Sequence, residues 1–235
     1  MKEENSYGWK AVIGSSIGYA MDGFDLLILG FMLSLISGDL GLTTGQAGSL
    51  VTWTLVGAVI GGFIFGTLSD KFGRVRVLTW TIVLFAVFTG LCAFAQGYWD
   101  LLIYRTIAGI GLGGEFGIGM ALAAEAWPAQ HRAKATSYVA IGWQLGVLAA
   151  ALLTPVLLPY IGWRGMFMVG IIPAFVAWFF RAKLHEPEIF VQSKESKEHS
   201  HTNSFKLLVK DVRTTKTSIG VAILTSVQNF GYYGI

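Results

Sequence analysis

The chain has 235 residues, 54% of them hydrophobic and only 13% charged, with a mean hydropathy of +0.60. That composition excludes an ordinary soluble domain and puts the chain in a bilayer. The formal net charge of +3 is spread too thinly for a nucleic-acid surface, and the lone Cys92 excludes an internal disulfide or a thiolate metal site.

The first predicted span covers residues 11–36. The ten residues before it carry two acids and no small-residue cleavage site, so they read as a retained N-terminus and not a signal peptide. Asp22 and Asp25 interrupt this span. A carboxylate at mid-bilayer depth costs about 3 kcal/mol on insertion scales, so it persists where it faces a polar cavity, a partner charge or a transported ion. The second span, 45–69, is free of charge, and the third, 77–96, holds Cys92. The fourth, 99–124, is broken by Arg105 and Glu115. A fifth is predicted at 134–158 and a short sixth at 163–181, with Arg164 and Arg181 snorkelling outward and Trp163 and Trp178 at the interfaces. Each reaches or approaches the ~20 residues that cross the hydrocarbon.

Residues 182–216 are polar and charged and read as a cytoplasmic connector. Its His199 and His201 lack a third ligand, so no metal is expected there. A seventh span begins at 217 and stops at Ile235, which suggests a chain ending inside a larger repeat architecture with a further C-terminal half expected. The fold class is therefore all-α, a polytopic bundle of six spans at 1–181, a connector, and the start of a seventh span. Lys2, Lys10, Lys71, Arg74, Arg76, Arg132, Lys134 and the eight bases between 181 and 216 fall on one side, and Arg164 alone on the other. The positive-inside bias puts the N-terminus in the cytoplasm.

The turn after the second span reads Gly66-x-x-x-Asp70-Lys71-x-Gly73-Arg74-x-Arg76. Gly73 suits a tight turn, and an acid at a helix end with bases behind it can form a breakable ion-pair latch. The fourth span carries Arg105, Gly109, Gly111, Gly113, Gly114 and Glu115, followed by Glu125-x-x-Pro128-x-x-x-Arg132, and Gly162-Trp163-Arg164 precedes the sixth. This set resembles the major facilitator superfamily. With Asp22-Gly-Phe-Asp25 it is most similar to the proton-coupled organic-acid branches, sialate symporters first and aromatic-acid and niacin carriers next. The resemblance implies the N-terminal half of a plasma-membrane symporter for protons and a small organic anion, without cofactor or enzymatic activity. It casts Asp70, Gly73, Arg74, Glu125 and Arg132 as a cytoplasmic gate. Gly109, Gly111 and Gly114 also satisfy a dinucleotide-binding spacing, but that site needs a soluble strand–turn–helix unit. Close helix packing is the better reading, for these and for Gly57, Gly61, Gly62 and Gly66.

At ~1.5 Å per residue, Glu115 lies ~15 Å and Arg105 ~30 Å from the inner end of the fourth span, while Asp22 and Asp25 lie ~18 and ~22 Å above Lys10. Asp22 and Glu115 thus match in depth, and Arg105 can reach Asp25. Three acids against one base cannot all stay ionised cheaply in a low dielectric. Asp22, Asp25, Glu115 and Arg105 are the expected proton-coupling group, with Arg105 released toward an anionic substrate on protonation. Trp143, Gln144, Gln228, Asn229, Tyr232 and Tyr233 are expected substrate contacts because they are polar or aromatic groups inside spans. A sugar or neutral-metabolite symporter is the alternative within transport, and a non-transporting receptor or nonfunctional half-carrier the alternative outside it.

Overall fold

The structure, a computed structural model, describes residues 2–181, 184, 186 and 211–233. The chain divides into two units, Met1–Val191 and Gln192–Ile235. The first holds helices α1 (Lys2–Leu40), α2 (Thr44–Phe72), α3 (Arg74–Cys92), α4 (Tyr98–Glu125) and α5 (Arg132–Arg181), with a 3-10 turn at Ala129–His131. The second holds α6 (Val212–Tyr233).

Helix ends follow local chemistry. Thr43 and Gln46 form a capping box at the start of α2: the Gln46 N–H donates to Thr43 Oγ1 (3.3 Å) and the Thr43 N–H to Gln46 Oε1 (2.9 Å). Between α2 and α3 the chain turns on one residue, Gly73, at φ +110°, a conformation that L side chains rarely adopt. Most helices run past the predicted spans, as α1 does to Leu40, whereas α3 stops at Cys92, short of the predicted 96.

Residues 134–158 and 163–181 are expected as separate spans with a loop between them. The structure bears out the two spans: two helices meet at Gly162 (φ +63°), and the one departure is that a single residue, with no longer loop, separates them. The neighbours of the two arms of α5 show that the chain reverses there. Arg132 follows the inner end of α4, Trp163 reaches Asp39 at the outer end of α1, and Leu184 and Glu186 return to the inner start of α3. Arms of 132–161 and 163–181 would measure ~45 and ~28 Å, each enough to cross. Five helices of the described residues are long and apolar enough to span a membrane, and the reversal at Gly162 turns five helices into six crossings.

Small residues set the packing. Gly57 and Gly61 of α2 lie against the backbone of Thr106 and Ile110 in α4, and Gly109 and Gly113 of α4 against Thr54 and Ala58 in α2, so a Cβ at any of the four would strike backbone. Gly142 and Gly146 of α5 press in the same way on Ser16 and Ala20 of α1. Without a hydrophobic drive inside lipid, such close approach is what holds spans together. Gly66 departs from the expectation: nothing lies within 4 Å of a Cβ placed there.

In the second unit Asp211 caps α6, accepting from the Thr214 N–H (2.8 Å) and its hydroxyl (2.9 Å). These bonds hold its carboxyl below the ordinary 3.8. The helix begins five residues before the predicted seventh span.

Candidate functional site

The interrupting charges of α1 and α4 meet inside the first unit. Arg105 donates through Nη1 to Asp25 Oδ1 (3.0 Å) and through Nη2 to Asp25 Oδ2 (2.7 Å), a bidentate pair. Its guanidinium lies 5.8 Å from the Phe167 ring centroid of α5. Phe24, Ile28, Leu101 and Met166 belong to the apolar cluster around it. Asp22, Asp25, Arg105 and Glu115 are all 0–2% exposed. Glu115 accepts from the Thr81 hydroxyl of α3 at 2.6 Å. Gly111 and Gly114 bring α4 close enough to α3 for this contact, since a Cβ at either would crowd Thr81.

The predicted reach of Arg105 to Asp25 is thus realised. The Arg105 side chain is fully buried in this unit, and that of Asp25 is 1% exposed. A paired charge in a dry interior gains from its partner but loses hydration, and removing either member leaves the other uncompensated.

Trp143 rests on Gly23 of α1, where a Cβ would lie 2.7 Å from the Trp143 carbonyl oxygen and 3.3 Å from its ring. Tyr19 joins it, with ring centroids 5.2 Å apart, and Phe116 of α4 lies 4.8 Å from Tyr19 on its other side. Gln144 is exposed on α5. Gln228, Asn229, Tyr232 and Tyr233 fall on α6, and their side chains lie outside the described residues. Tyr19, Phe116 and Thr81 are absent from the sequence-based site. The signals for them are present but faint: an aromatic one turn before Asp22, another beside Glu115, and a hydroxyl in an apolar span.

At the inner end, Arg74 gathers three groups. Its Nη1 donates to Asp70 (2.6 Å) and to the Ser69 hydroxyl (2.7 Å), and its Nη2 to Glu125 (3.1 Å). One side chain therefore joins the ends of α2 and α4 to the start of α3. Arg132 is exposed and makes no ion pair among the described residues, so the expected cluster closes without it. Glu186, missed from sequence, completes the site. It accepts from the backbone N–H groups of Arg74 (2.7 Å), Val75 (3.3 Å) and Arg76 (3.1 Å), the open donors at the start of α3. Gly73 has no side chain to offer as a cap, and a Cβ there would collide with Glu186.

At the outer end Arg164 pairs with Asp39 (2.6 Å), stacks 4.0 Å from the Trp163 centroid, and donates to the Ala95 carbonyl (3.3 Å). The Trp163 indole N–H also donates to Asp39 (3.1 Å). The expected snorkelling base is therefore part of a clamp.

A family model described as the Major Facilitator Superfamily matches residues 15–235. A Haemophilus influenzae relative, provisionally named a metabolite transport protein, is 77% identical over 98% of this chain and 58% of its own length. The cis,cis-muconate transport protein of Acinetobacter baylyi is 33% identical over 98% of this chain and 57% of its own. The sialic acid transporter NanX of Escherichia coli is 31% identical over 87% and 51%. The chain thus spans about half the length of these relatives. Among solved structures, the proton:xylose symporter XylE of E. coli superposes with a TM-score of 0.73 at 22% identity, over 98% of this chain and 55% of that one, a likeness of fold.

Proposed function

The chain belongs to the major facilitator superfamily, and from that premise we propose that it is the N-terminal half of a proton-coupled symporter for small organic anions. The observation that carries this reading is the buried set of one base and three acids, Arg105 with Asp22, Asp25 and Glu115, in the interior of the helical unit. Ionisable groups at that depth mark ion and proton pathways. Protonation of an acid in the set releases charge from the Asp25–Arg105 pair, directly or through a relay, and the freed positive potential favours an anion. Relatives named for muconate and sialic acid, both carboxylic acids, support the substrate class. The positive-inside distribution supports a multi-pass carrier in the cell membrane with a cytoplasmic N-terminus.

The Arg74 cluster at the inner end suits a gate that opens when Arg74 lets go of Glu125. The test is uptake of labelled carboxylates, sialate and cis,cis-muconate included, by the full-length carrier at two external pH values. Acid-stimulated uptake that is lost in Asp25→Asn and Glu115→Gln is the expected result. Uptake indifferent to pH and to both substitutions overturns the coupling.

A further inference from the structure

We propose that Tyr19, Phe116 and Trp143 form a stacking platform that selects planar, conjugated carboxylates over puckered or saturated ones. This rests on the organic-anion reading above and sharpens its substrate class.

The three rings come from three helices, α1, α4 and α5, and Tyr19 bridges the other two at 4.8 and 5.2 Å. They stand at the depth of the buried charges: Tyr19 is one turn from Asp22, Phe116 follows Glu115, and Trp143 packs on Gly23, the neighbour of Asp22. On α4 the usual order is inverted, with Glu115 buried and Phe116 47% exposed. Glu115 turns inward to Thr81 and Phe116 turns outward, so the ring stands one residue along α4 from a buried carboxylate.

This patch differs from a lipid-facing surface. On α2 the exposed residues Val56, Val59, Ile60, Phe63 and Ile64 make an unbroken apolar stripe, the pattern that acyl chains cover. Beside Phe116 the next residue is the exposed Gly117, where nothing lies within 4 Å of a Cβ, so the ring borders open floor. Since the chain spans about half the length of its relatives, one face of the unit meets the remaining half. The aromatic patch, bordering an open floor, fits that face, and the aliphatic stripe fits lipid.

Aromatic rings attract flat π systems in offset or edge-on geometry, beyond the gain from area alone. A sugar acid or a saturated ring offers only C–H groups to an aromatic face and lacks the added attraction between two π systems. The discriminating probes are therefore pairs of equal carbon count that differ in flatness: benzoate against cyclohexanecarboxylate, and cis,cis-muconate against adipate.

The experiment is calorimetric titration of each acid into the purified full-length carrier, as wild type, Phe116→Leu and Phe116→Tyr. The flat member of at least one pair is expected to bind roughly tenfold more tightly. That ratio should fall toward unity in Phe116→Leu and be kept in Phe116→Tyr, which rules out a mere packing loss. Equal binding within both pairs by the wild type, or a ratio unchanged in Phe116→Leu, overturns the platform and leaves the organic-anion carrier standing. If none of the four acids binds while sialate does, the platform falls and the organic-anion reading stands; if sialate fails as well, both fall.

Discussion

Replacing Asp25 by Asn leaves Arg105 charged, enclosed and short of its counter-ion. The bond from Nη2 at 2.7 Å loses its charged acceptor, and the Asn amide keeps one oxygen for Nη1, so a single hydrogen bond to a neutral acceptor replaces a bidentate ion pair. Removing one member of a buried pair costs about 3–5 kcal/mol, and the retained bond puts this variant near ~3 kcal/mol. At ~1–2 °C per kcal/mol for a carrier about twice the length of this chain, the melting temperature of the full-length carrier in detergent should drop by about 3–6 °C. The double variant Asp25→Asn with Arg105→Met removes the orphaned charge and should regain most of that loss while transporting nothing. The assay is intrinsic tryptophan fluorescence on heating. A single-variant shift under about 2 °C, or a double variant no more stable than the single, would show that Arg105 finds other compensation and would refute the sealed-pair reasoning.

Thr81→Val removes the hydroxyl on Glu115 at nearly constant volume, a loss of about 1–3 kcal/mol, and should alter the pH profile of uptake, with Thr81→Ser restoring it. Glu186→Ala exposes three open N–H groups at the start of α3 and should cost about 0.5–2 kcal/mol, seen as faster amide exchange at Arg74, Val75 and Arg76. Gly113→Ala should prevent α2 and α4 from closing and lower the yield of folded carrier, whereas Gly66→Ala, placed in open space, should be neutral or slightly stabilising by thermal melt. Asp211 has a folded-state pKa below its ordinary 3.8, so its cap is complete above that value and is lost as pH falls through the lowered one. Amide exchange at Thr214 should therefore speed up only at strongly acid pH, and Asp211→Ala should make it fast throughout.

Much of the fold was legible because bilayer thickness leaves few ways to read a charge-free run of ~20 residues. The boundary at 158–163 was legible too, at Gly162; what periodicity does not display is that one left-handed glycine reverses the chain there without a longer loop. In the site, the Asp25–Arg105 pair followed from depth arithmetic along two helices. Burial did not: sequence places Arg105 at a height without saying on which side of α4 it lies, and the structure turns it inward. The same ambiguity hid Phe116, whose outward direction depends on Glu115 pointing at Thr81. Glu186 was hidden for another reason, since its partners are backbone N–H groups that no residue pattern displays. Arg132 matches the motif spacing, yet its side chain stays outside the Arg74 cluster.

Glu186 fastens the chain leaving α5 to the start of α3 at one end, and Arg164 fastens α1, the α3–α4 turn and the α5 reversal at the other. A bundle riveted at both ends resists sliding of one helix past the next, and behaves as a stiff lever. Over a hydrocarbon thickness of ~30 Å, a tilt of about 10° would carry one end sideways by about 5 Å. Such a lever delivers nearly all of that displacement at the far mouth and loses little to internal slack. Cutting either rivet should therefore leave substrate affinity almost untouched while slowing turnover, because the handle would bend before the load moves.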